Sequence, residues 1–185
     1  MKIFGIDPGS ERTGYGCIDT DGSRHRLVIC GALTAPAHTL FPDRLLLIHA
    51  GLTALLAEHR PDCVAIENVF HAKNVRSALK LGHARGVALL AASQAGVAVI
   101  EYAPAEIKRA VVGFGRAEKH QIGQMIKLLL GLESVPTPHD AADALAVAVC
   151  HVHSSHGAVA NAIRSDAQLR GRSPAMPRSW RAYRP

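Results

Sequence analysis

The stretch Met1–Thr20, MKIFGIDPGSERTGYGCIDT, decides the fold. Lys2–Ile6 reads as a short apolar strand that ends at Asp7, and Asp7-Pro8-Gly9-Ser10 is a turn signal. Gly14–Thr20 reads as a second strand. Asp21-Gly22 is a strong hairpin signal that leads into a third, Arg26–Ala35. Three consecutive strands joined by tight turns make an antiparallel meander.

Beyond the meander the pattern changes. Leu45, Ile48, Leu52, Leu55 and Leu56 recur at helical spacing within Pro42–His59, with Pro42 and Asp43 suited to the first turn. Cys63–Ile66 is a short, fully apolar run that ends at Glu67, and strands of this kind are usually central and parallel. A long helix is predicted over Val75–Gln94, a strand over Val97–Tyr102 and a short helix near 104–111. Two more helices follow, over Ala117–Leu130 and His139–His153. The order predicts an α/β protein built on a mixed five-stranded sheet flanked by helices. Its first three strands are antiparallel, and the later ones arrive parallel by right-handed crossovers.

The whole chain has 185 residues, 48% of them apolar and 19% charged, which suits one domain with its own core. No apolar run reaches the roughly 18 residues of a membrane span, and the N-terminus lacks the apolar stretch of a signal peptide, so a cytoplasmic protein is expected. Cys17, Cys30, Cys63 and Cys150 each sit in an apolar run and read as small buried hydrophobes in a reducing compartment. Without any C-x-x-C pair, zinc is not expected. His151, His153 and His156 read as part of a solvated tail rather than as a metal tract. The folded domain is placed at 1–155. Residues 156–185, rich in Gly, Ser, Pro and Arg, read as a basic, mostly disordered tail with at most a short helix near 158–169.

Charge is unevenly placed. Residues 1–70 carry 6 basic and 8 acidic side chains, and residues 71–127 carry 9 and 3. Residues 128–150 hold only the acids Glu133, Asp140 and Asp143, and the tail from 151 holds 6 Arg and one Asp. A basic middle between acid-bearing segments is what a polyanion-cutting enzyme needs: cations to hold phosphates and carboxylates to hold metal.

The acids support that chemistry. Asp7 and Glu67 end strands, and if those strands are parallel neighbours both emerge at one carboxyl edge, where open α/β sheets bind their ligands. Asp140 and Asp143, three apart at the start of the last helix, share a face close to the positive end of the helix dipole. Each acid alone has a structural explanation: Asp7 could start a turn, and Asp140 could be a helix-start acid. Together, four carboxylates at one sheet edge suit a hard cation such as Mg²⁺ or Mn²⁺. With two ions, one generates the nucleophile from water and the other stabilises the leaving oxygen of a phosphodiester; Asp7, on the central strand, is the candidate to bridge them.

DPGSERTG after the first strand, AIENVF at the fourth, SALKLGHARG on the long helix and PHDAADALA at the last resemble the RuvC family of bacterial Holliday-junction resolvases, which has a ribonuclease H-like fold. The resemblance runs from residue 1 to about 155. It implies a homodimer that resolves four-way DNA junctions by paired symmetric nicks in recombination and repair. It also implies two Mg²⁺ per site, with Mn²⁺ accepted, and association with the branch-migration proteins RuvA and RuvB. The catalytic and metal-holding acids it implies are Asp7, Glu67, Asp140 and Asp143. Phe70 would stack against bases at the crossover, and Lys108 and Lys119 would lie near the scissile phosphate. Lys73, Arg76, Lys80 and Arg116 are further candidate phosphate contacts. Gly82 and Gly86, with Ala78, Ala84 and Ala88, would let the long helix approach a second copy closely. His139 is either a helix-start polar residue or a proton-handling group.

Three rivals remain open at this point. A ribonuclease H-like RNA-processing nuclease would need neither Phe70 nor the SALKLGHARG helix as a dimer surface. An actin-like ATP-binding protein would explain DPGSERTG but not Asp140 and Asp143, and it needs a longer chain. A non-catalytic junction-binding protein would not need four intact acids.

Overall fold

Five strands form one sheet in the order β3-β2-β1-β4-β5, so the first strand is central. The computed structural model describes residues 1–68 and 74–170, with side chains up to Ser155. The strands are β1 (Lys2–Asp7), β2 (Arg12–Thr20), β3 (His25–Thr34), β4 (Cys63–Glu67) and β5 (Ala98–Tyr102). The helices are α1 (Phe41–His59), α2 (Val75–Gln94), α3 (Pro104–Val112), α4 (Lys119–Leu129) and α5 (His139–Arg170). β1, β2 and β3 pair antiparallel, and β4 and β5 add parallel to β1, as the order of elements predicted. Met1–Ser154 form one compact unit and Ser155–Pro185 a second.

Strand alternation builds two cores. Phe4 and Ile6 of β1 and Val64 and Ile66 of β4 point to one face, against Ile48, Leu52 and Leu56 of α1 and Ala88, Ala91 and Ala92 of α2. Ile3, Cys63 and Ala65 point to the other, against α3, α4 and α5. Asp7 and Glu67 share the odd parity of this second set, so both carboxylates fall on the α5 face.

That face is paved with glycine. Gly5 pairs with Gly16 and Asp7 with Gly14 across β1 and β2. A Cβ on Gly5 would stand 2.0 Å from the Ala144 carbonyl oxygen, and one on Gly14 would stand 2.1 Å from that of Asp140. On Gly16 it would meet the Leu145 side chain at 2.6 Å. The missing side chains, matched by Ala141, Ala144 and Ala148, which are buried on the helix, let α5 lie directly on the sheet. Gly5→Ala should therefore lower stability by about 3 kcal/mol or more, since backbone would have to move to admit one methyl group. A denaturant midpoint equal to that of the parent would show that α5 does not rest on this platform.

Four expectations need correction. α5 extends to Arg170, where the last helix was expected to end at His153 with at most a separate short helix beyond it. His151 and His153 are not tail residues. The Tyr102 hydroxyl and His151 Nδ1 are hydrogen-bonded at 2.8 Å, and His153 Nδ1 donates to the Ala110 carbonyl at 2.8 Å, because the helix packs on β5 and α3. Cys30 is only half-buried, although all four thiols are free. On α2, Ala84 and Ala88 are buried against the core, whereas Gly82 and Gly86 face open space. At 3.6 residues per turn, Gly82 and Ala84 lie about 200° apart, so they cannot share a face.

Candidate active site

Asp7 and Glu67 are the last residues of adjacent parallel strands whose register pairs Ile6 with Ile66. When Asp7 carries its proton, the two carboxyl groups share it in a hydrogen bond. With Asp143 they line a cavity of about 120 Å³, closed by Pro104, Ile107, Ile122 and Ala146 and flanked by Lys108 and Lys119. β1 and β4 supply the two strand-end acids. α5, seated on the glycines, supplies Asp143. α3 brings Lys108 and α4 begins with Lys119.

Electrostatics mark Asp7 as the focus of the site. Burial, the hydrogen bond with Glu67 and the charges of Glu67 and Asp143 together push its carboxyl up to about 9, against the opposing pull of Lys119. Lys119 Nζ donates to Asp143 Oδ2 at 2.7 Å, and this bond holds the ammonium above the ordinary lysine range. The low-dielectric apolar walls strengthen each of these interactions.

A stability prediction follows. Asp7 binds its proton far more tightly folded (about 9) than at the ordinary carboxyl value of 3.8. Well below pH 4 both states hold the proton. As pH rises toward 9 the unfolded chain releases it and the folded chain does not, so stability falls across this window. Asn at position 7 removes the effect. In EDTA the Tm of Asp7→Asn should exceed that of the parent by a margin that widens from pH 4 to pH 9; a constant margin would mean that Asp7 titrates normally.

Asp140 lies apart from this cavity. It faces a neighbouring groove on the β2–β3 side, and Arg12 Nη1 approaches its Oδ2 at 3.4 Å. Among the described residues, no three His, Cys, Asp or Glu side chains stand close enough together to hold an ion as they are. Asp143 is engaged by Lys119 and Asp140 by Arg12. The donor chemistry nonetheless fits a hard cation: the carboxylates are oxygen ligands only, and burial first, then the neighbouring acids Glu67 and Asp143, disfavour a bare negative charge on Asp7.

The remaining candidates divide. Lys108 and Lys119 line the acid cavity. Arg76, Lys80 and Arg116 are exposed and do not line it, and the Lys80 ammonium stands 5.7 Å over the Phe41 ring. Phe70 and Lys73 lie outside the described residues. His139 is exposed and, with His120 and Gln124, lines a cavity of about 220 Å³ on the other side of Lys119 and Asp143. Sequence reasoning missed Arg12, although it stands inside DPGSERTG; nothing local indicates that its partner is 128 residues away.

Comparison with known proteins agrees with this geometry. The family model for crossover junction endodeoxyribonuclease RuvC matches residues 3–151. A crossover junction endodeoxyribonuclease RuvC of Chloroflexus aggregans is 50% identical over 155 residues, 84% of this chain and 94% of that protein. Its counterpart in Heliobacterium modesticaldum is 52% identical over 154 residues, 83% of this chain and 95% of that protein. The structure of T. thermophilus RuvC in complex with Holliday junction substrate superposes with a TM-score of 0.79 at 35% identity, covering 84% of this chain and 94% of that one.

Proposed function

The chain belongs to the RuvC family of crossover junction endodeoxyribonucleases, and from that premise we propose that it resolves four-way DNA junctions at the Asp7 cavity by paired symmetric nicks. The observation that carries the reading is the juxtaposition of Asp7, Glu67, Asp143, Lys108 and Lys119 around one small cavity at the carboxyl edge of the central strands. Asp7, Glu67, Asp143 and Asp140 would hold two Mg²⁺ ions, with Mn²⁺ accepted. Such ions, when bound, make a hydroxide nucleophile available and neutralise charge on the phosphate. The protein's own part is electrostatic and positional. Asp7 sits beside Glu67 and Asp143. Lys108 and Lys119 present cations to the incoming phosphate, and Pro104, Ile107 and Ile122 keep bulk water from the reacting centre.

A homodimer fits the outer face of α2. Gly82 and Gly86, with Ala78, Leu79, Val87, Leu90 and Leu45, line an apolar groove of about 450 Å³, and Leu79 and Leu90 are 60% and 51% exposed. A second copy seated there would set two acid sites in twofold symmetry, as two symmetric nicks require. Phe70, three residues after Glu67, is the proposed base-stacking wedge, with Lys73, Arg76, Lys80 and Arg116 as outer phosphate contacts. Residues 1–155 form the nuclease domain in this reading and 156–185 a basic tail. The site of action is the cytoplasm, with RuvA and RuvB as partners. Among the described residues, no helix is long and apolar enough to cross a membrane.

The test is a cleavage assay on labelled four-way junction, linear duplex and RNA–DNA hybrid with Mg²⁺ or Mn²⁺. Paired nicks at symmetric positions in the junction alone are expected. Cutting of the hybrid instead would move the protein to the ribonuclease H side of the fold and remove the wedge role of Phe70.

A further inference from the structure

We propose that the groove beside Asp140 is a DNA-backbone subsite in which Arg12 and Arg44 hold a phosphate of the cleaved strand, next to the acid cavity. This rests on the junction-nuclease reading above. The groove, about 740 Å³, is formed by the β1–β2 turn with the first residue of β2 (Gly9–Arg12), the end of β3 with the segment after it (Thr34–Ala37), Arg44 in the first turn of α1, and Asp140. It opens toward β2 and β3, whereas the acid cavity lies toward β4. Asp140 and Asp143 stand one helical turn apart, so a strand whose scissile phosphate is at the acids reaches this groove within one or two nucleotides.

Two observations point to a phosphate. Arg44 Nη2 donates to the Thr39 carbonyl at 3.2 Å, which fixes the guanidinium, while its Nε is buried with no partner among the described residues. The buried Nε lies out of reach of a ligand in the groove, so the Nη end of this fixed guanidinium is what the groove presents, and a charged guanidinium N–H suits a phosphate oxygen. Arg12 is half-exposed and holds Asp140 only at 3.4 Å, a contact of the sort that contributes little. Because Asp140 is one of the acids assigned to the reaction, Arg12 is the cation left to turn to the backbone. Glu11, the other acid lining the groove, is exposed. Among the described residues, none of the basic candidates read from the sequence lines this groove.

The experiment measures junction affinity against salt in an Asp7→Asn background, so that no cleavage intervenes. Arg12→Ala and Arg44→Ala should each weaken binding by about three- to tenfold, and the double variant should reduce the slope of log K against log salt by about one. Arg44→Lys should keep the slope and lose affinity, because charge remains while the guanidinium held by the Thr39 carbonyl goes. A methylphosphonate placed within three nucleotides of the nick on the cleaved strand should abolish the Arg12→Ala effect at one position. Arg12→Ala should leave Tm unchanged, so if Arg44→Ala melts early, Arg12→Ala and Arg44→Lys still decide. Variants that bind with the affinity and slope of the Asp7→Asn parent would overturn the subsite. Methylphosphonate sensitivity confined to the uncut strand would overturn its assignment to the cleaved one. Failure of the parent itself to prefer junctions over linear duplex would instead sink the nuclease reading.

Discussion

Asp7→Asn is expected to reduce junction cleavage by about 10⁴-fold or more, the scale seen when a central catalytic group is removed. Junction affinity should stay within about threefold, because phosphate contacts dominate binding and Asp7 makes none. The contrast rests on where Asp7 sits: on the central strand, hydrogen-bonded to Glu67 and crowded by Asp143. The amide keeps the shape and removes the charge, so the variant should fold, and above pH 4 without metal it should melt later than the parent. Single-turnover cleavage and a gel-shift titration on one preparation check this. Loss of cleavage together with loss of binding would point to a misfolded protein, and retained cleavage would move the chemistry away from the cavity.

Lys119→Ala is expected to slow cleavage by about 10²–10³-fold, the loss typical of removing one preorganised cationic or hydrogen-bonding group from a transition-state site. The ammonium is placed for this by its 2.7 Å bond to Asp143 and its position on the cavity rim. The Lys119 side chain is 75% exposed, so its own loss costs little packing, but Asp143 is only 17% exposed and loses its cation, so a modest fall in stability is expected beside the kinetic effect. Affinity should fall slightly, with at most one unit lost from the salt slope. Single-turnover rates separate this from a binding defect. If affinity alone falls and the rate at saturation is unchanged, Lys119 is a phosphate contact remote from the reacting atoms.

Much of the fold was legible in the residues because its signals are local. A turn at Asp7-Pro8-Gly9-Ser10, a hairpin at Asp21-Gly22 and an apolar run at Cys63–Ile66 each state their structure within a few residues. The strands they bound end where the acids stand. Asp140 and Asp143 were legible for the same reason, as a three-residue spacing at a helix start. Placing Asp140 in a different recess from Asp143 was not legible, since it depends on which strand lies beneath each carboxylate. The division of α2 into a buried alanine face and an open glycine face was implicit in the 3.6-residue period, but only the neighbouring elements decide which face is inward.

By itself the sequence determined the elements, their order and the mixed character of the sheet, and it singled out Asp7, Glu67, Asp140 and Asp143 as candidate acids. These follow from turn chemistry and from periods of 2 and 3.6 residues, which act over short distances along the chain. The tertiary structure alone decided that Gly5, Gly14 and Gly16 form a floor for α5 and that Lys119 reaches Asp143. It also decided that Arg12 meets Asp140 across 128 residues, and that His151 and His153 are tied to Tyr102 and Ala110. Such contacts depend on how closely two backbones can approach and which side chains then share a space, and neither is encoded in any short window of the chain.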